Sequence, residues 1–211
     1  MESTGGGLKK AFCIVLLGKS GAGKDHVASE CEGILSGWQV TSDNLKFSRI
    51  LKLVCSLVWG WDHKEMDKNS AYKEEVSPEL MRFGWTRRQV LQMVGTDVFR
   101  ENFGEDVWIN AAMRWTRRSR AQVHISTDAR FPNEIDALRD EFGKVLVVKL
   151  HRKGTPQENS GGNHVSEQIE DLEADIEFHA ALGDHEALRN AAKLVSSEAT
   201  RWLRINSLAS T

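Results

Sequence analysis

Apolar residues along this chain fall into two alternating kinds of segment. Short unbroken runs read as strands buried on both sides: residues 11–17 (Ala-Phe-Cys-Ile-Val-Leu-Leu) and Val145 to Leu150. Gln122 to Ser126 reads as a third strand, with shorter candidates at Val40 to Ser42 and Ile176 to His179. Between them the apolar spacing turns helical. Helices are predicted over 24–35, over Leu45 to Trp59, from Thr86 to Phe103, over Val107 to Arg118, from Pro132 to just before Gly143, and over His185 to Leu203. The apolar face expected of the second helix is Leu45, Ile50, Leu53, Val54, Leu57 and Val58. Thr86-Arg87-Arg88-Gln89 is a capping-box sequence, in which Thr86 and Gln89 satisfy free backbone N–H groups. Residues 60–85 are polar and irregular, an excursion from the core, and His151 to His164 has the Gly, Ser and Pro content of a mobile loop.

Strands alternating with helices imply a largely parallel sheet with helices on both faces. Ligands of such sheets gather at the carboxyl ends of the strands. Gly18, Asp128 and Arg152 each follow a strand at that edge. The chain has 211 residues, 40% hydrophobic and 27% charged, which suits one domain with a real core. A net charge of −2 gives no footprint for nucleic acid. The basic run from Arg114 to Arg120 reads as a solvated helix end. No stretch approaches the length of a membrane span, and the first ten residues hold no apolar signal segment. Cys13, Cys31 and Cys55 are too sparse for a disulfide framework and read as reduced core thiols, which points to the cytoplasm.

The chemistry starts at Gly18-Lys-Ser20-Gly21-Ala22-Gly23-Lys24-Asp25, between the first strand and the first helix. This is the phosphate-binding loop pattern. Its glycines let the backbone close around a phosphate with N–H groups pointing inward, and the following helix offers its positive end. Lys24 is placed to reach the β- and γ-phosphates. Asp25 stands where Ser or Thr usually binds magnesium. Asp128-Ala-Arg130-Phe-Pro-Asn-Glu134 follows the third strand and enters a helix. There Asp128 can serve a magnesium ion, and Glu134 can hold Arg130 towards a phosphate. Arg88 and Gln92 share a helical face, followed by Gly95-Thr96-Asp97. A mid-helix glycine costs about 1 kcal/mol, so close approach of another backbone or a ligand is expected at Gly95. Arg152 and Lys153 are candidates to bring charge to the phosphates from a lid over 151–164. Trp38, Trp59, Trp61 and Trp202 are assigned to packing. His151 is isolated in sequence, and no zinc-ligand spacing occurs.

Together these residues resemble the bacteriophage deoxynucleoside monophosphate kinases. The matching pieces are Gly18 to Asp25, Leu45-Lys46, Arg88-x-x-x-Gln92-x-x-Gly95-Thr96-Asp97, Trp108, Asp128-x-Arg130-x-x-x-Glu134 and His164-x-Ser166-Glu167. The resemblance implies a P-loop kinase fold over 1–211, a helical acceptor-binding region at about 60–118, and a cytoplasmic, dimeric enzyme. It implies magnesium-dependent transfer of the γ-phosphate of ATP to a dNMP. Lys46, Arg88, Gln92, Gly95, Thr96 and Trp108 would line the acceptor site, and Asp25 and Asp128 would serve the metal. The family often has proline before the Leu-Lys pair, where Asn44 stands here. Animal-type phosphomevalonate kinase looks similar and also ends its loop in Gly-Lys-Asp. A non-catalytic nucleotide-binding module would need the loop, but not the second, arginine-bearing segment at Arg88.

Overall fold

The computed structural model describes residues 8–153, 169 and 172–208. The expected lid therefore lies, from residue 154 onward, outside the described residues, as do His164, Ser166 and Glu167. The chain divides into two compact units, one of residues 1–46 with 116–211 and one of residues 47–115.

The first unit is built on a parallel five-stranded sheet in the order β2-β3-β1-β4-β5. The strands are β1 (Phe12–Leu17), β2 (Ser42–Leu45), β3 (Val123–Ser126), β4 (Lys144–Lys153) and β5 (Ile176–Ala181). β1 is buried at every position, as its unbroken apolar run requires. Its Phe12, Ile14 and Leu16 share a core with α1 (Lys24–Gly37) and the last helix, His185–Leu208. The opposite face carries His124, whose ring meets Phe142 just after the helix Pro132–Glu141. β4 runs three residues further than the sequence suggested, so Arg152 and Lys153 belong to a strand end rather than to a loop. Cys13 and Cys31 are buried free thiols here, as Cys55 is in the second unit. Trp202 packs edge-on against Phe12, whereas Trp38, expected in the core, is 46% exposed where α1 ends.

The second unit is helical: α2 (Ser48–Trp59), α3 (His63–Lys68), α4 (Ser70–Glu74), a 3-10 segment (Pro78–Phe83), α5 (Arg87–Met93), a π-helical stretch (Val94–Arg100), α6 (Glu101–Phe103) and α7 (Val107–Thr116). The stretch read as irregular thus holds two short helices, capped by Asp62 and Asn69 side chains. The capping box at Thr86 and Gln89 forms as the sequence predicts. The expected apolar face of α2 is not the buried one. Leu57 and Val58 are exposed, while Leu51 and Cys55 turn to the unit's core with Trp61, Met66, Val90 and Val94. Lys52 lies on that inner side because Asp67 pairs with it at 2.6 Å. Arg87 is buried too. It pairs with Glu75 and lies 3.8 Å above the Tyr72 ring. The helix expected to run unbroken to Phe103 changes winding at Val94. In the first unit the helices are completed by α8 (Pro132–Glu141) and α9 (His185–Leu208).

Candidate active site

The loop between β1 and α1 has positive φ at Gly18, Gly21 and Gly23. At two of these a side chain has no room. A Cβ on Gly18 would lie 2.6 Å from the Leu150 carbonyl oxygen, and one on Gly23 would lie 2.8 Å from Leu188. The loop is thus pressed between the end of β4 and the start of α9, which fixes its curl. Ser20 and Gly21 are exposed and Ala22 is buried, with a turn closed by Ala22 N–H donating to the Lys19 carbonyl. Gly23, left-handed, ends the loop as the N-cap of α1.

Lys24 folds back over this loop. Its ammonium donates to the carbonyls of Gly18 and Lys19 at 2.6 and 2.9 Å. Burial pushes its pKa down to about 8, and the Arg130 guanidinium pushes the same way. Asp25 and Asp128 oppose that shift. Asp25, Asp128 and Arg130 thus all act electrostatically on Lys24. These three come from the first turn of α1 and from the turn after β3, so the topology gathers them at the carboxyl edge of the sheet.

Asp25 is held by a residue to which the sequence reading gave no role. The Thr127 hydroxyl, buried at the end of β3, donates to Asp25 Oδ1 at 3.1 Å. The signal was available: a hydroxyl beside Asp128 at a strand end, in a loop pattern that lacks its usual Ser or Thr. Glu134 is 2% exposed, and its Oε2 accepts the backbone N–H groups of Arg130 and Phe131 at 2.7 and 3.2 Å. The carboxylate therefore fixes the peptide that carries Arg130, at the start of α8. Arg152, at the end of β4, donates Nη1 to the Gly21 carbonyl at 3.1 Å. Its Nε is buried without a hydrogen-bond partner among the described residues. Lys46 is half-buried just after β2.

The other expected acceptor residues lie in the second unit. Arg88 on α5 pairs with Glu74. Gln92, one turn on, is half-buried. Thr96 is likewise half-buried, in the π-helical stretch. The close approach expected at Gly95 is made by a side chain: a Cβ there would meet Leu51 at 2.8 Å. Trp108 is 5% exposed and donates its indole N–H to the Gly95 carbonyl at 2.8 Å. That bond satisfies a carbonyl that the wider π winding helps to expose.

No curated protein matches this sequence. Among solved structures, a shikimate kinase from Bacteroides thetaiotaomicron shares 14% identity over 88% of this chain and 97% of that one, with a TM-score of 0.44. An APS kinase from Mycobacterium tuberculosis also shares 14% identity, over 88% and 94% of the two chains, with a TM-score of 0.39. The family model of phosphomevalonate kinase matches residues 16–144, more than half of the chain, from the end of β1 through α8. The protein is therefore a P-loop kinase that phosphorylates a small substrate from ATP, and its chain belongs to the phosphomevalonate kinase family.

Proposed function

We propose that the protein is a deoxynucleoside monophosphate kinase. An oxygen of the dNMP α-phosphate attacks the γ-phosphorus of ATP, the bond from that phosphorus to the β-bridging oxygen breaks, and dNDP and ADP leave. The observation that carries this reading is the Gln92 amide. It sits half-buried one turn from Arg88 on the same helix. An amide offers a donor and an acceptor side by side, which matches the edge of a nucleobase. Arg88, now paired with Glu74, supplies a planar fork for the acceptor phosphate. The bacteriophage kinase resemblance, which rests on these same residues, supports the reading.

In this mechanism the loop N–H groups from Gly18 to Lys24 cradle the donor phosphates, and Lys24 leaves its own loop carbonyls to meet them. Arg130 stabilises charge on the transferring group, and Arg152 closes over the loop from β4. Two carboxylates that act on Lys24, one bonded by Thr127, offer oxygen donors of the kind magnesium takes. Asp25 and Asp128 would hold that ion, which would neutralise charge on the β- and γ-phosphates.

The family match favours a second reading, phosphomevalonate as acceptor. That molecule has a phosphate for Arg88 but no base edge for Gln92. ADP release measured with each common dNMP, its ribo form and phosphomevalonate separates the two. Turnover of at least one dNMP, and none of phosphomevalonate, is expected; the reverse overturns the proposal.

A further inference from the structure

A cluster of ligating side chains lies outside the nucleotide site, and the sequence hid it because its members come from different strands. His151 of β4 stands directly across from His179 of β5 in parallel register. Side chains two apart on a strand share a face, so Glu177 joins His179 there. Phe178 and Ala180 take the other face, in the core with α1 and α9. The two imidazoles stack at 4.6 Å with 11° between their planes, and His151 Nε2 lies 3.1 Å from Glu177 Oε2. One ligand atom from each of the three residues lies within 4.8 Å of the other two.

We propose that His151, Glu177 and His179 form a binding site for a divalent transition-metal cation of the zinc, cobalt and nickel type. Two imidazole nitrogens and one carboxylate oxygen make a donor set that suits these ions, whereas magnesium and calcium take oxygen ligands. A histidine–glutamate hydrogen bond alone would need only His151 and Glu177. The register places His179 directly across from His151, and its ligand atom lies within 4.8 Å of the other two. That register places the three residues on one face of adjacent strands, so the backbone needs no rearrangement to present them together. The side chains of His151 and Glu177 are 38% and 50% exposed, which leaves a path for the ion and a position for water. Asp25 and Asp128, the carboxylates proposed for magnesium, belong to other elements and are not among the three ligating side chains.

The test uses the full chain after chelator treatment. Calorimetric titration with zinc chloride should show one equivalent bound, and cobalt(II) should develop the visible absorption of a four- or five-coordinate ion. His151→Gln and His179→Gln should each weaken zinc binding at least about tenfold. In the unsubstituted protein, zinc should shield His151 and His179 from diethyl pyrocarbonate, mapped by mass spectrometry, which keeps the test independent of how the variants fold. Absence of one-to-one binding overturns the proposal. So does zinc binding that persists in both variants, or modification of both histidines undiminished by zinc.

Discussion

Thr127 and Asp25 are joined by a hydrogen bond of 3.1 Å, from the Oγ1 hydroxyl at the end of β3 to the carboxylate at the first turn of α1. Phosphate-binding loops usually place a hydroxyl directly after the lysine. Here a carboxylate stands there, and the hydroxyl comes from the residue just after the neighbouring strand. If Asp25 holds magnesium, as proposed, Thr127 acts as a positioning residue for it. Thr127→Val should raise the magnesium concentration for half-maximal rate about tenfold or more, since a hydrogen bond to a charged group contributes about 1.5–3 kcal/mol. Thr127→Ser should restore most of the loss. A magnesium titration of turnover checks both, and an unchanged midpoint in the valine variant would rule the role out.

The Lys24 ammonium, with its pKa pushed down to about 8, ties nucleotide binding to pH. In the free enzyme it loses its proton through pH 8, so kcat/KM for ATP should fall above that pH. Stability runs the other way. The unfolded chain keeps this proton up to the ordinary value of 10.5, so between pH 8 and 10.5 it binds more protons than the fold does, and stability rises with pH. At pH 7 the buried charge costs the fold about 1–2 kcal/mol once partial exposure is allowed for. Lys24→Met should therefore be inactive yet more stable at pH 7 without nucleotide, with the advantage shrinking from pH 8 upward. Denaturant melts at pH 7, 8.5 and 10 measure this.

Much of the first unit was legible in its residues, because burial and backbone freedom are local properties. The run Phe12–Leu17 leads straight into Gly18, and the structure builds strand, loop and helix in that order. Asp128, Arg130 and Glu134 follow β3 as the spacing implies. Other features depend on partners far along the chain. Whether Leu57 or Cys55 faces inward on α2 depends on where Trp61 and Met66 fall, and both Leu57 and Cys55 are apolar. At Gly95, in the π-helical stretch, the neighbours are Leu51 and Trp108, one far back along the chain and one beyond the helix end. His151 gains Glu177 and His179 only through the β4–β5 register.

Glu134 offers a test of how Arg130 is held. Its Oε2 takes two backbone N–H groups in a site 2% exposed, so Glu134→Ala would leave both without a partner, at about 1–3 kcal/mol each. It should lower stability and kcat together. Glu134→Gln keeps an acceptor and should lose less of each. If the carboxylate acts on turnover through Arg130, the kcat losses of Glu134→Gln and Arg130→Ala should be far from additive. Full additivity would assign Glu134 to structure alone.

His124 is buried in β3, and burial pushes its pKa below the ordinary value despite the Asp43 carboxylate nearby. In the unfolded chain it takes up a proton near pH 6.5. Below that pH the unfolded chain binds more protons than the fold, so the fold loses stability as pH falls. His124→Leu should flatten the stability profile between pH 7.5 and 5, read from denaturant midpoints. An equally steep profile in the variant would place the acid sensitivity elsewhere.

Variants of Gln92 separate a kinase that reads a base from one that reads only a phosphate. Arg88 and Gln92 lie one turn apart on α5, and Arg88 already has an acidic partner in Glu74. If the acceptor is a dNMP, its phosphate displaces Glu74 from Arg88, and Gln92 meets the base edge. Arg88→Ala should then raise KM for every accepted dNMP alike, because all share the phosphate. Gln92→Ala should act unevenly. KM should rise about two- to tenfold for the preferred base, as loss of a neutral hydrogen bond of about 0.5–1.5 kcal/mol gives, and less for bases that pair poorly with an amide. KM for ATP should stay unchanged in both variants, since the donor meets the loop around Lys24. Gln92→Glu removes the donor and keeps an acceptor, so it should reorder the base preference rather than erase it. A uniform effect of all Gln92 variants across acceptors would mean that the amide supports the helix and reads nothing, and would return the acceptor to a phosphorylated molecule without a base.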